Sequence, residues 1–97
     1  MNISGKRVLI TGGSSGIGFA LAQAFLFKGA RVVISGRRGA VVANAVKSLQ
    51  NGSAEIHGIM ADVATTGGRA ATLKQAIAAL GGIDILVNNA GASGRDG

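Results

Sequence analysis

The sequence predicts an α/β protein: a doubly wound parallel sheet with helices on its faces. Short apolar runs alternate with stretches of helical periodicity in the order β-α-β-α-β-α-β. The first run, Val8-Leu9-Ile10, is continuous rather than alternating, the mark of a strand buried on both faces. Right-handed crossovers through the intervening helices then place the strands parallel and the helices on the sheet faces. Seventeen glycines with no proline point the same way. Glycine suits tight βα turns, and the lack of proline lets helices and central strands run unbroken.

The elements follow in order. Lys6 to Thr11 reads as the first strand, with Val8, Leu9 and Ile10 in succession. Gly16 to about Lys28 reads as the first helix, ended by Gly29. Ile17, Ala20, Leu21, Ala24 and Phe25 fall at helical spacing and are expected to form its buried stripe. Arg31 to Ser35 is the second strand. Gly39 to Leu49 is the second helix, with Val42, Val46 and Leu49 on one face and Asn51-Gly52 closing it. Ala54 to Ala61 is the third strand. Thr65 or Thr66 caps a third helix that runs to about Leu80 and carries Leu73, Ile77 and Leu80 inward. Gly67-Gly68 weakens its first turn, at about 1 kcal/mol per glycine relative to alanine. Gly81-Gly82 ends it, and Ile83 to Asn88 is the fourth strand.

Composition removes several function classes. No cysteine means no disulfide framework and no thiolate metal site. The four acids, Glu55, Asp62, Asp84 and Asp96, are too dispersed for a metal cluster, and Asp84 is expected to serve the fold. His57 lies mid-strand and is read as structural. The net charge of +6 comes from scattered Lys and Arg, while all three aromatics are Phe at 19, 25 and 27 on one helix. Bases would need aromatics interleaved with the basic residues, so no nucleic-acid partner is expected. No apolar run reaches membrane-spanning length, and Val8-Leu9-Ile10 is too short for a secretion signal. A cytoplasmic protein without a membrane partner is expected.

The chemistry concentrates at the strand-to-helix turn Thr11 to Gly18. Gly12 permits a tight exit from the strand, Gly16 lets a phosphate approach the backbone, and Gly18 lets the helix pack on the sheet. The helix N-terminus then offers free N–H groups and partial positive charge to an anion. The spacing G-x3-G-x-G differs from the G-x-G-x-x-G fingerprint, and no P-loop lysine follows. A glycine-rich turn with no ligand remains the alternative. A second feature lies roughly 20 residues on, where the ribose of a bound dinucleotide would reach the end of the second strand. An acid there would select NAD. Gly36-Arg37-Arg38 stands there instead, and a guanidinium pairs with a 2′-phosphate. Arg37 is the expected phosphate partner and Arg38 a stacking or assisting group; two solvated arginines opening a helix are the alternative.

Thr11-Gly12-x3-Gly16-Ile17-Gly18, Asp62-Val63 after the third strand and Asn88-Asn89-Ala90-Gly91 after the fourth together resemble the short-chain dehydrogenase/reductase family, in its order and spacing, over essentially all of the chain. The resemblance implies a Rossmann-like sheet of strand order 3-2-1-4, truncated after the fourth strand, so that residues 1–97 form a partial NAD(P)-binding domain. It implies that Gly12, Gly16, Ile17 and Gly18 line the pyrophosphate, with Ser14 and Ser15 as further donors. Asp62 and Val63 would contact the adenine, Asp62 through the exocyclic amine; the alternative for Asp62 is a cap on the following helix. Asn88 to Gly91, with Asn89, Ala90 and Gly91 beside the cofactor ribose, would also support the central strand. Gly36-Arg37 resembles the family's NADP-preferring pattern, so NADP(H) is expected over NAD(H).

The family's catalytic serine and Tyr-x3-Lys lie beyond the Asn-Asn-Ala-Gly motif, and this chain has no tyrosine. The resemblance therefore implies the cofactor half of an oxidoreductase that moves hydride between nicotinamide and a carbonyl or alcohol, inactive alone and with no catalytic residue of its own. The alternative is a non-catalytic NADP(H)-binding module or one completed by a partner chain. The helices through which the family forms homo-oligomers are missing from the 97 residues, and the fourth strand is expected to be a bare edge that leaves the domain marginal.

Overall fold

The computed structural model describes residues 2–14 and 16–89. Seven elements follow one another: β1 (Arg7–Thr11), α1 (Gly16–Phe27), β2 (Arg31–Gly36), α2 (Gly39–Leu49), β3 (Glu55–Met60), α3 (Thr66–Leu80) and β4 (Ile85–Asn88). Types and order are as expected, and the ends shift by a residue or two. The strands form one parallel sheet in the order β3-β2-β1-β4, with Thr11 level with Ser35 and Asn88, and Gly36 level with Met60. All four carboxyl ends therefore open on one edge.

Val8, Ile10, Val32, Ile34 and Ile56 point to one face, where α1 and α2 cover them with Ala22, Ala45 and Leu49. Leu9, Val33 and Ile59 point to the other, against Ala76 and Leu80 of α3. The six strand residues from Val8 to Ile10 and Val32 to Ile34 that head both layers are essentially solvent-free, each contributing about 1.5–3 kcal/mol of burial.

Two expected helix faces are corrected. α1 buries Gly18 and Ala22, not Ile17, Ala20 and Ala24; Ile17 is 73% exposed, while Leu21 and Phe25 pack only at the margin of the core. α3 buries Thr72, Ala76 and Leu80, and leaves Leu73 and Ile77 nearly half exposed. Both helices lie close to the sheet, and small side chains fill most of the line of contact. The larger apolar residues beside that line are pushed outward. Thr72 fits because its hydroxyl donates to the Gly68 carbonyl one turn back, at 2.8 Å.

Thr65 caps α3, its hydroxyl accepting from the Gly68 amide at 2.9 Å. Gly68 is needed there in spite of its propensity cost, because a Cβ would overlap the Asp62 carbonyl. The amino-terminal edge of the sheet is held by ion pairs. Arg7 donates to both carboxylate oxygens of Asp84 at 2.9 Å, joining β1 to the entry of β4. Arg31 donates to Glu55 at 2.8 and 3.1 Å, and Glu55 also meets His57 Nε2 at 3.0 Å. His57, read from the sequence as structural, thus has a partner two residues away on its own strand. The Arg31 and His57 bonds hold the Glu55 carboxyl down at about 2, and Arg7 holds Asp84 well below the usual carboxylate range.

Candidate functional site

The chain leaves β1 for β2 on one side, while β4 pairs on the other. That makes the carboxyl ends of β1 and β4 the switch point of the sheet, where an open α/β sheet leaves a crevice for a ligand. The sequence-predicted residues that are described gather along this edge. Gly12, Ser14, Gly16, Ile17 and Gly18 follow β1, Arg37 and Arg38 follow β2, Asp62 and Val63 follow β3, and Asn88 and Asn89 end β4. Ser15, Ala90 and Gly91 lie outside the described residues.

The turn after β1 is pressed onto its surroundings. Gly12 and Gly16 take left-handed backbone angles, with φ of 71° and 61°, which glycine adopts without strain. A Cβ on Gly18 would stand 2.3 Å from the Gly12 carbonyl oxygen and 2.9 Å from Gly13 Cα, so α1 meets the turn backbone to backbone. Around Gly16 nothing lies within 4 Å of such a Cβ. The helix start is thus tight against the sheet and open toward the crevice. The amides of Gly12 and Gly13 both donate to the Ser35 carbonyl, at 2.9 and 3.2 Å. Those two amides are thus engaged with β2, whereas the amides of the first turn of α1 have no partner within the helix.

Asn89 was expected beside the ribose; its Nδ2 donates to the Gly12 carbonyl at 3.1 Å and braces the turn from β4. The Thr11 hydroxyl donates to Asn88 Oδ1 at 3.2 Å, closing the same seam one residue earlier. Asp62 Oδ1 accepts from the Ala64 amide at 2.9 Å and its carbonyl accepts from the Thr65 hydroxyl at 3.0 Å. The residue therefore builds the turn before α3, although Thr65 is the cap. Asp62 Oδ2 makes no hydrogen bond among the described residues. Sequence reading passed over Arg69, which donates to the Val63 carbonyl at 3.0 Å and fixes this loop. A basic residue just inside a helix start was the only sign of it.

The described acids are divided between the two edges. Glu55 and Asp84 sit at the amino-terminal edge, each held by an arginine. Arg37, Arg38 and Arg69 sit at the carboxyl edge, where Asp62 is the one acid among the described residues. Such an edge favours an anion. A shallow groove bordered by Leu26, Gly29, Asn51 and Glu55 lies at the opposite edge and holds none of the predicted site residues. Among the described residues no helix is long and apolar enough to cross a membrane.

This arrangement has close counterparts. The family profile described as short chain dehydrogenase matches residues 6–97. An uncharacterized oxidoreductase of Bacillus subtilis, YvrD, is 42% identical over 91 residues, covering 94% of this chain and 34% of the relative. The crystal structure of L-sorbose reductase from Gluconobacter frateurii, complexed with NADPH and L-sorbose, superposes with a TM-score of 0.84 at 37% identity, over 95% of this chain and 36% of the reductase. A short chain dehydrogenase/reductase from Burkholderia phymatum in complex with NAD superposes with a TM-score of 0.83 at 29% identity, over 89% of this chain and 31% of that protein. The chain spans about a third of the length of each. With its fold, its glycine turn and nearly its full length matched, the chain belongs to the short-chain dehydrogenase family.

Proposed function

We propose that this chain binds NADP(H) as the cofactor half of a cytoplasmic short-chain oxidoreductase, one that moves hydride between the nicotinamide and a carbonyl or alcohol. The observation that carries the reading is the sequence at the end of β2, which has Gly36, Arg37 and Arg38 in place of an acid. Two structural neighbours of the same fold, one complexed with NADPH and the other with NAD, support reading the choice of cofactor from local residues.

When bound, the cofactor supplies the hydride. The residues of this chain hold it. The first-turn amides of α1 and the helix dipole meet the pyrophosphate, with the Ser14 hydroxyl beside them and Ile17 on the rim. Arg37 pairs with the 2′-phosphate, and Arg38 lies against the same end of the nucleotide. Asp62 Oδ2 accepts from the adenine amine, with Val63 packed against the ring. Asn89 keeps the turn in register. None of these groups transfers the substrate proton, and with no tyrosine among the 97 residues the work of this chain is binding and orientation.

The test is the affinity of the purified protein for NADPH and NADH, with Arg37→Ala as the variant. A charge-assisted contact is worth about 1.5–3 kcal/mol, so the variant should lose roughly 10- to 100-fold for NADPH and little for NADH. Equal affinities for the two nucleotides in the parent, or an unchanged NADPH affinity in the variant, defeat the reading.

A further inference from the structure

Two glycines on neighbouring strands face α2: Gly36 at the end of β2 and Gly58 in β3. A Cβ on Gly36 would stand 2.9 Å from Val42 Cγ2 and 3.1 Å from Ser14 Oγ. A Cβ on Gly58 would stand 2.7 Å from Val42 Cγ1 and 2.8 Å from Val46 Cγ2. Each γ-methyl of Val42 therefore occupies the space that one of these glycines leaves empty. Val42 cannot step aside. It is 4% exposed, its amide donates to the Arg38 carbonyl at 3.0 Å, and a valine inside a helix has essentially one rotamer. Ala45 and Leu49, buried along the same helix, fix how closely α2 lies on the sheet.

The consequence reaches the cofactor end of the site. Position 36 ends β2, where a carboxylate would take the two hydroxyls of an unphosphorylated ribose. Any side chain there must first displace Val42. We propose that Val42 is a selectivity residue of this chain: by filling the Cβ space of Gly36 it keeps a carboxylate out of the end of β2, and so holds the site in the form that accepts a 2′-phosphate. It acts through Gly36 and touches no cofactor atom, which makes it a positioning residue. This rests on the dinucleotide reading given above.

The experiment is a double-mutant cycle on the protein produced from its own reading frame, with Gly36→Asp, Val42→Ala and the pair. Thermal midpoints and the dissociation constants for NADPH and NADH are measured for each. Gly36→Asp alone should lower the midpoint and gain no NADH affinity. Adding Val42→Ala should recover much of that midpoint and shift the NADH-to-NADPH affinity ratio at least tenfold toward NADH. Should Gly36→Asp fail to fold, Gly36→Ala with and without Val42→Ala reads the same clash from a single added methyl. A Gly36→Asp protein that melts like the parent and binds NADH unaided overturns the proposal, as do strictly additive effects on the midpoint. A parent that binds neither nucleotide overturns the functional reading instead; the midpoint cycle tells the two failures apart because it needs no nucleotide.

Discussion

Gly18→Ala puts one methyl where α1 touches the turn after β1. The added Cβ would lie 2.3 Å from the Gly12 carbonyl oxygen, 2.8 Å from Asn89 Nδ2 and 2.9 Å from Gly13 Cα. Two of these neighbours are backbone, so no side-chain rotation relieves the overlap. α1 or the turn must move by about 0.7 Å merely to reach the 3.0 Å limit of real Cβ contacts. Overpacking of this kind costs about 1–3 kcal/mol. The displacement also breaks the Asn89 to Gly12 hydrogen bond, at about 1 kcal/mol. Helix propensity returns about 1 kcal/mol for glycine to alanine. The net loss is roughly 1–3 kcal/mol, a fall in melting temperature of roughly 5–20 °C for a domain of this size. Nucleotide affinity should fall with it, since the first-turn amides of α1 move. Gly67→Ala in α3 is the matched control: nothing lies within 4 Å of its Cβ position and its backbone is helical rather than left-handed, so it should hold or raise the melting temperature. Melting curves followed by circular dichroism decide the matter. A Gly18→Ala protein as stable as the Gly67→Ala protein would refute the close backbone contact.

Two further predictions follow from single groups. The Ser35 hydroxyl is buried at 1% exposure and has no hydrogen-bond partner among the described residues; an unmet buried hydroxyl costs about 1–3 kcal/mol. Ser35→Ala should leave stability unchanged or raise it in urea titrations, and a marked loss would mean that the hydroxyl is bonded after all. Glu55 is held at about 2 against an ordinary 4.5, first by Arg31 and then by His57. A carboxyl depressed in the folded state contributes stability above its unfolded value, and that increment is lost as pH falls from about 4.5 through about 2. Both Arg31 and Glu55 are about a third exposed, so the increment is small and screened by salt. Denaturation midpoints of the parent should fall faster than those of Glu55→Gln across this window; parallel curves would show that the pair contributes nothing.

The order of elements was legible because glycine punctuates it. Gly12, Gly29, Gly52 and Gly81 stand between apolar runs, and each marks an observed turn or helix end. The inward faces of α1 and α3 were not legible from hydrophobic size. Pattern reading gives weight to Ile17, Leu73 and Ile77, while a helix seated close on a sheet selects Gly18, Ala22, Thr72 and Ala76. A stripe of small residues four apart was the signal to follow. At the site, the glycine roles could be read from spacing, since they depend on one short segment. The bond from Asn89 to Gly12, and the fit of Val42 over Gly36 and Gly58, join segments whose approach only the folded sheet defines.

The Asn89 to Gly12 bond also bears on the order in which the molecule assembles. β1 meets β2, and β2 meets β3, across 24 residues of chain (Arg7 with Arg31, Arg31 with Glu55), whereas β4 meets β1 across 77 (Val8 with Ile85). Closing the longer loop costs more entropy, so β4 is expected to dock after the three-stranded core has formed. The glycine turn is made early in the chain but braced late. Nucleotide added during refolding should therefore report the slowest phase in stopped-flow traces. A binding signal that precedes sheet completion would mean that the first β-α unit shapes the cradle without its distant support.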